Sequence, residues 1–287
     1  MTDSTNRQKL VARRNFFKTA GLAGMGGVLL TTAGLKSARA DFASTAPFDD
    51  PNQIFTAALI AEDLATTFYY NGLVGGVIQD SKLAGTGGSV TSGQQLNTNV
   101  NYLQAALSQE IAHANLLRSL LNISGSAQDP YQTFYFPAGS FDTLTPFLAL
   151  LDALESAFIG AYMAATRQFA YMAAQTQSRA LTYGNSDGTH SYSAAELEYY
   201  SQVSASILGV ECEHRALGRV IGALRPANNL TYEQTAGLTN VFNGPTSAVA
   251  ALTPFLTPAT GPAYSFQAAI KNQAAVSLPS TGGLPPF

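Results

Sequence analysis

Cys212 is the only cysteine in the 287-residue chain. One cysteine forms no internal disulfide, and it cannot build a Cys-x-x-Cys metal or redox site. Charged residues are also sparse, at 11% of the sequence, and much of the basic charge lies in the first 40 residues. Beyond residue 40 there remain 8 basic against 17 acidic residues, a net charge of about −9. No basic cluster survives in that stretch, so nucleic-acid binding and attraction to anionic lipid have no electrostatic support. The apolar run near the N-terminus, residues 19–35, is only 17 long and carries five glycines. A membrane span needs about 20 apolar residues.

The first 40 residues have their own grammar. Arg13-Arg14-Asn15-Phe16-Phe17-Lys18 precedes a Gly/Ala/Leu-rich stretch that ends in Ala38-Arg39-Ala40. This resembles a twin-arginine export signal, with Ala12 where Ser or Thr is common. The resemblance implies cleavage after Ala40, a periplasmic or extracytoplasmic destination and no stable membrane span afterwards. Twin-arginine export as a family property carries folded proteins, often with a cofactor already inserted. The remaining 247 residues suffice for one domain with a full core.

Four apolar-periodic segments follow, each with the three–four spacing of helices packed side by side. The first spans about 51–73, with Asp50 as N-cap, Pro51 at the first helical position and Gln53 completing a capping box; its stripe reads Phe55, Leu59, Glu62, Thr66, Tyr69, Leu73. The second spans about 97–121, through Val100, Leu103, Leu107, Glu110, Ala114, Leu117 and Leu121. The third, about 143–182, runs Leu144, Leu148, Leu151, Glu155, Phe158, Tyr162, Ala165, Phe169, Met172. The fourth opens on a Ser193/Glu196 capping box and stops before Pro226, with a stripe of Val203, Ile207, Val210, His214, Leu217, Ile221 and Leu224. The fold class expected is all-α: a four-helix bundle over 41–225 with a long crossover at 122–142. Residues 74–96 form a long Gly/Ser/Thr-rich loop, and 226–287 a Pro/Gly/Thr-rich extension with short helices near 246–256 and 265–275.

The chemistry lies on the stripes. Glu62, Glu110 and Glu155 occupy positions that otherwise bury Leu, Phe and Val, while Glu211 is read as lying beside the stripe position of His214. Buried carboxylates are strongly unfavourable unless paired or coordinated, and the stripes offer no arginine to pair with them. The order along the chain is one Glu, then Glu110-x-x-His113, then one Glu, then Glu211-x-x-His214. Residues three apart share a helix face, so each Glu-x-x-His pair can reach one site. A bundle holding two metal ions uses this set: one Glu from each of two helices and a Glu-x-x-His pair from each of the others. Glu110 and Glu211 are expected to bridge, with Glu62 and Glu155 terminal and one histidine on each metal. Oxygen and imidazole ligands suit iron or manganese; iron is the first expectation.

This motif order resembles the ferritin-like superfamily over roughly 50–225, and most closely exported bacterial ferritin-like domain proteins related to the desiccation-related family. The resemblance implies metal-ligand roles for Glu62, Glu110, His113, Glu155, Glu211 and His214. With one cysteine the chain departs from rubrerythrins, which carry a rubredoxin-type iron site. Its 74–96 loop, sparse charge and extended tail depart from cage-forming ferritins. Three functions are open to such a chain. One is a di-iron centre that oxidises Fe(II) or reduces peroxide, with Fe(II), O2 and peroxide as partners. Another is a non-enzymatic stress or desiccation-related scaffold, and the third is manganese catalase-like disproportionation of peroxide. A homodimer through a helix face is the default assembly.

Other residues carry lesser expectations. Tyr69 and Tyr162 follow Glu62 and Glu155 by seven residues, two turns along the same face. They are the candidates for catalytic tyrosines at the metal layer, and the alternative is a pair of core tyrosines with satisfied hydroxyls. Histidine ligands usually have an orienting acceptor; Asp63, Asp152 and Glu213 are acidic residues close in sequence, Glu213 is expected to face away, and no partner is assigned among them. Cys212 is expected to be buried and inert, and His190 to be a solvated loop residue without a partner.

Overall fold

The computed structural model describes residues 49–80, 83, 98–179, 182–184, 188, 190–225, 227 and 231–277. The expected export signal, most of the 74–96 loop and the last ten residues lie outside the described residues. Four long helices form the frame: α1 (Pro51–Val74), α2 (Thr98–Leu120), α3 (Leu144–Arg179) and α4 (Ala194–Ile221). The chain is mostly helical, an all-α bundle. Both capping boxes are present: the Asp50 side chain accepts from the Gln53 N–H, and Ser193 accepts from Glu196 N–H. Each box satisfies two N-terminal donors, which fixes where its helix starts.

The helices pack as two pairs, α1 with α2 and α3 with α4. All the stripe residues of α1 and α3 are buried. Length and composition would let Leu144–Ser178 cross a membrane, but 67% of its apolar window is buried within the protein and Glu155 lies in its middle. It is the core helix of the bundle. On α4 the buried line runs Val203, Ile207, Glu211, His214, Gly218, Ile221. Val210 and Leu217 are only partly buried. Glu211 therefore sits on the stripe itself, correcting the expectation that it lay beside it.

The crossover and the extension join each other. Strand β1 (Thr133–Tyr135) pairs antiparallel with β4 (Ala263–Ser265), Phe134 opposite Tyr264. A second, two-residue ladder joins β2 (Tyr183–Gly184) to β3 (Ser191–Tyr192) between α3 and α4. The short helices α5 (Ala248–Leu252) and α6 (Phe266–Asn272) bury Ala248, Leu252, Phe266 and Ala269 against the bundle. Because α5 and α6 both pack on α1, that helix is buried around most of its circumference, as a helix that is apolar on all sides should be. Gly160 marks how close the extension comes: a Cβ there would lie 2.4 Å from the Thr235 carbonyl oxygen.

Candidate metal centre

The six residues come from four different helices and meet in the middle of the bundle. Glu62 lies on α1, Glu110 and His113 on α2, Glu155 on α3, and Glu211 and His214 on α4. None exceeds 6% exposure. They form two overlapping groups: Glu62, Glu110, His113 and Glu211, and Glu110, Glu155, Glu211 and His214. In each group the candidate donor atoms lie within 4.8 Å of one another.

Glu110 and Glu211 belong to both groups, and their oxygens divide between the two histidines. Glu110 turns Oε2 to His113 Nδ1 (3.7 Å) and Oε1 to His214 Nδ1 (3.0 Å). Glu211 turns Oε1 to His113 Nδ1 (3.5 Å) and Oε2 to His214 Nδ1 (3.5 Å). Glu62 completes the first group, 3.2 Å from His113 Nδ1, and Glu155 the second, 3.9 Å from His214 Nδ1.

Hydrogen bonding does not account for this arrangement. Both oxygens of Glu110, both of Glu211, Glu155 Oε2 and His214 Nδ1 have no hydrogen-bond partner although all are buried. The 3.0 Å approach of His214 Nδ1 to Glu110 Oε1 is close but not aligned as a hydrogen bond. Leaving so many buried polar atoms without partners costs about 1–3 kcal/mol for each group. Within the cluster only Glu62 Oε2 and His113 Nδ1 hydrogen-bond each other, at 3.2 Å; the other converging atoms are placed as cation ligands are, and the chemistry of the set, carboxylate oxygen with imidazole nitrogen, fits iron or manganese.

The nearby arginines do not neutralise the carboxylates. Arg118 is buried and spans Asp63 (2.7 Å) and Asp129 (2.6 Å). Arg215 binds Glu233 at 2.5 Å and Arg219 binds Asp152 at 2.8 Å. Arg167 donates to the Thr239 carbonyl. Without a metal the site must hold protons instead. Burial pushes Glu62 and Glu155 well above the usual carboxylate range. Burial alone would lower the histidines, but the facing carboxylates, Glu62 at His113 and Glu110 at His214, raise both rings well above their ordinary value. Burial would likewise raise Glu110, but His214 outweighs it and holds that carboxyl low. Two divalent cations would take the place of these protons.

The two tyrosines reach across the bundle. Tyr69 on α1 donates to Glu155 Oε1 on α3 at 2.6 Å, and Tyr162 on α3 donates to a Glu62 oxygen on α1. Burial, with Glu155 beside one and Glu62 beside the other, raises both phenols, so they stay protonated and donate. Each therefore holds one of the two outer glutamates from the opposite helix.

Sequence reasoning missed one partner. His214 Nε2 lies 2.8 Å from Gln109 Oε1, which accepts the Nε2 proton and leaves Nδ1 free to face the glutamates. The signal was present, since Gln109 stands beside Glu110 on α2, but only acidic neighbours were considered. Of those, Asp63 is taken by Arg118, Asp152 by Arg219, and Glu213 is exposed. Replacing Gln109 by Leu should weaken one metal ion about 10–100-fold and spare the other, readable by titration against a competing chelator. Two smaller expectations are corrected. Cys212 is partly exposed rather than buried, its thiol raised chiefly by desolvation. His190 has partners, Glu196 at 3.3 Å and the Tyr192 ring at 4.3 Å.

Residues 50–182 match the family model described as a ferritin-like domain. That segment contains α1, α2 and α3, and with them four of the six clustered residues; α4 brings the other two. No curated protein and no solved structure matches the chain.

Proposed function

We propose that this ferritin-like bundle is an oxidoreductase centre that holds two iron ions and oxidises Fe(II) with dioxygen or peroxide. The observation that carries the reading is the set of unpartnered, converging oxygens of Glu110 and Glu211, each residue offering one oxygen to either half of the cluster. Glu110 and Glu211 would bridge the ions; Glu62 and His113 would complete one position, Glu155 and His214 the other. Iron held there would supply one electron from each of two ions, so that dioxygen leaves as hydrogen peroxide, or peroxide as two waters, after uptake of two protons.

The chain's own residues set the conditions for that chemistry. Burial of all six donors keeps water from competing and strengthens each electrostatic contact. Tyr69 and Tyr162 hold the outer carboxylates by one oxygen each, which turns the second oxygen, Glu155 Oε2 unpartnered and Glu62 Oε2 beside His113, towards the cluster. Gln109 fixes the ring of His214. The twin-arginine signal expected from residues 1–40 would deliver this bundle folded to an extracytoplasmic compartment.

Protein loaded anaerobically with Fe(II) should oxidise it on mixing with dioxygen or peroxide, seen by rapid-mixing absorbance. Glu62→Ala should lower the rate at least about tenfold. A wild-type rate no faster than that of the variant would overturn the reading. Oxygen released from peroxide without added reductant, by protein loaded with manganese, would instead identify a catalase-like centre.

A further inference from the structure

Tyr162, whose hydroxyl holds Glu62, also lines a cavity of about 20 Å³, room for a single small molecule. Its walls are made small by seven alanines: Ala57, Ala58 and Ala61 from α1, Ala157, Ala161 and Ala165 from α3, and Ala248 from α5. Four-residue spacing puts Ala157, Ala161 and Ala165 on one face of α3, and with Ala57, Ala58 and Ala61 of α1 they line the cavity with methyl groups where larger side chains would close the gap. The only side-chain hydroxyls in the lining are those of Ser204 and Tyr162, and the Tyr162 hydroxyl is already spent on Glu62. The walls run from Ala157, which is partly exposed, to Tyr162, which is buried against the glutamates.

We propose that this cavity admits and holds dioxygen beside Tyr162, on the Glu62 side of the cluster. The assignment rests on the di-iron reading above and adds the substrate to it. A small cavity with almost no polar partner favours an apolar guest: water there would forfeit most of its hydrogen bonds, and peroxide, with two hydroxyl groups, would forfeit more. Dioxygen loses nothing on leaving water for such walls. The overall step is balanced as given: two Fe(II) lose one electron each, and dioxygen with two protons becomes hydrogen peroxide.

Xenon, an apolar atom that occupies dry cavities, tests the site without any metal. Crystals of the metal-free protein under xenon pressure should show it between Ala58 and Ala161; a wild-type cavity that takes no xenon overturns the proposal. Ala58→Leu, with Ala58→Val as the gentler variant, should exclude xenon. In iron-loaded protein the same variants should raise the KM for dioxygen at least about fivefold while peroxide-driven oxidation stays unchanged. Equal effects on both oxidants, or none on either, would overturn the route. Xenon bound in a wild type that oxidises iron with neither oxidant would sink the di-iron reading and the route with it. An empty cavity with oxidation intact would sink the route alone.

Discussion

Loading the metal-free protein with two divalent ions is expected to raise its melting temperature by roughly 16–32 °C. At a free metal concentration near 1,000 times Kd, binding to the native state alone contributes about 4 kcal/mol for each ion, and a domain of this size gains about 2–4 °C per kcal/mol. The native site supplies what binding needs. Six buried atoms of Glu110, Glu155, Glu211 and His214 have no hydrogen-bond partner, and the nearby arginines are engaged elsewhere. The same facts predict that the site is a liability when empty. Glu211→Gln should therefore stabilise the chelated protein by a few degrees while abolishing the gain on loading. Thermal scans of both proteins, with chelator and with Fe(II) or Mn(II), check the pair of outcomes. A wild type whose melting temperature does not move with metal would mean that the cluster is not a cation site.

Asp49→Ala is expected to destabilise the protein by about 3–5 kcal/mol, although residue 49 lies just before α1 and far from the cluster in sequence. Its buried carboxylate accepts from the backbone N–H groups of Val241 (2.8 Å), Phe242 (3.0 Å) and Asn243 (2.8 Å). It also accepts from Asn243 Nδ2 (2.9 Å) and Gln168 Nε2 (2.9 Å). One side chain thus ties the start of α1, the middle of α3 and the extension together. Truncation leaves three backbone donors of residues 241–243 without their acceptor. With a urea dependence of about 3 kcal/mol per molar, the unfolding midpoint should fall by roughly 1–1.7 M. A change below about 0.3 M would show that the extension is held in place by its apolar contacts alone.

The frame and the cluster were readable from sequence because both are periodic. Each of the four helices repeats its buried positions every three or four residues, and a glutamate on such a stripe has few explanations. The Asp50 and Ser193 capping boxes then set two helix starts to the residue. Glu211 was harder. Val210 looked like the core position beside it, yet Val210 is half-buried and Glu211 fully buried, because the line through Ile207 and His214 passes through 211. Apolar character points to the core only where the core is apolar.

What the sequence concealed is mostly long-range. The three-residue pairing of Thr133–Tyr135 with Ala263–Ser265 leaves too short a stretch for an alternation to register. Asp49 gives no local sign of its five acceptor contacts. Tyr69 and Tyr162 could be placed near the cluster from their spacing, but that each serves the glutamate of the opposite helix depends on how α1 and α3 face each other. Gln109 carries no charge to mark it as an orienting group, although its amide oxygen accepts the His214 N–H as well as a carboxylate would.

The central claim, that six side chains from four helices hold two metal ions, is tested most directly by elemental analysis of the purified protein. The structure predicts about two ions per chain, iron first, falling below one in Glu110→Ala. Protein that carries no metal after reconstitution with Fe(II) and with Mn(II), or that keeps its full complement in Glu110→Ala, would contradict it.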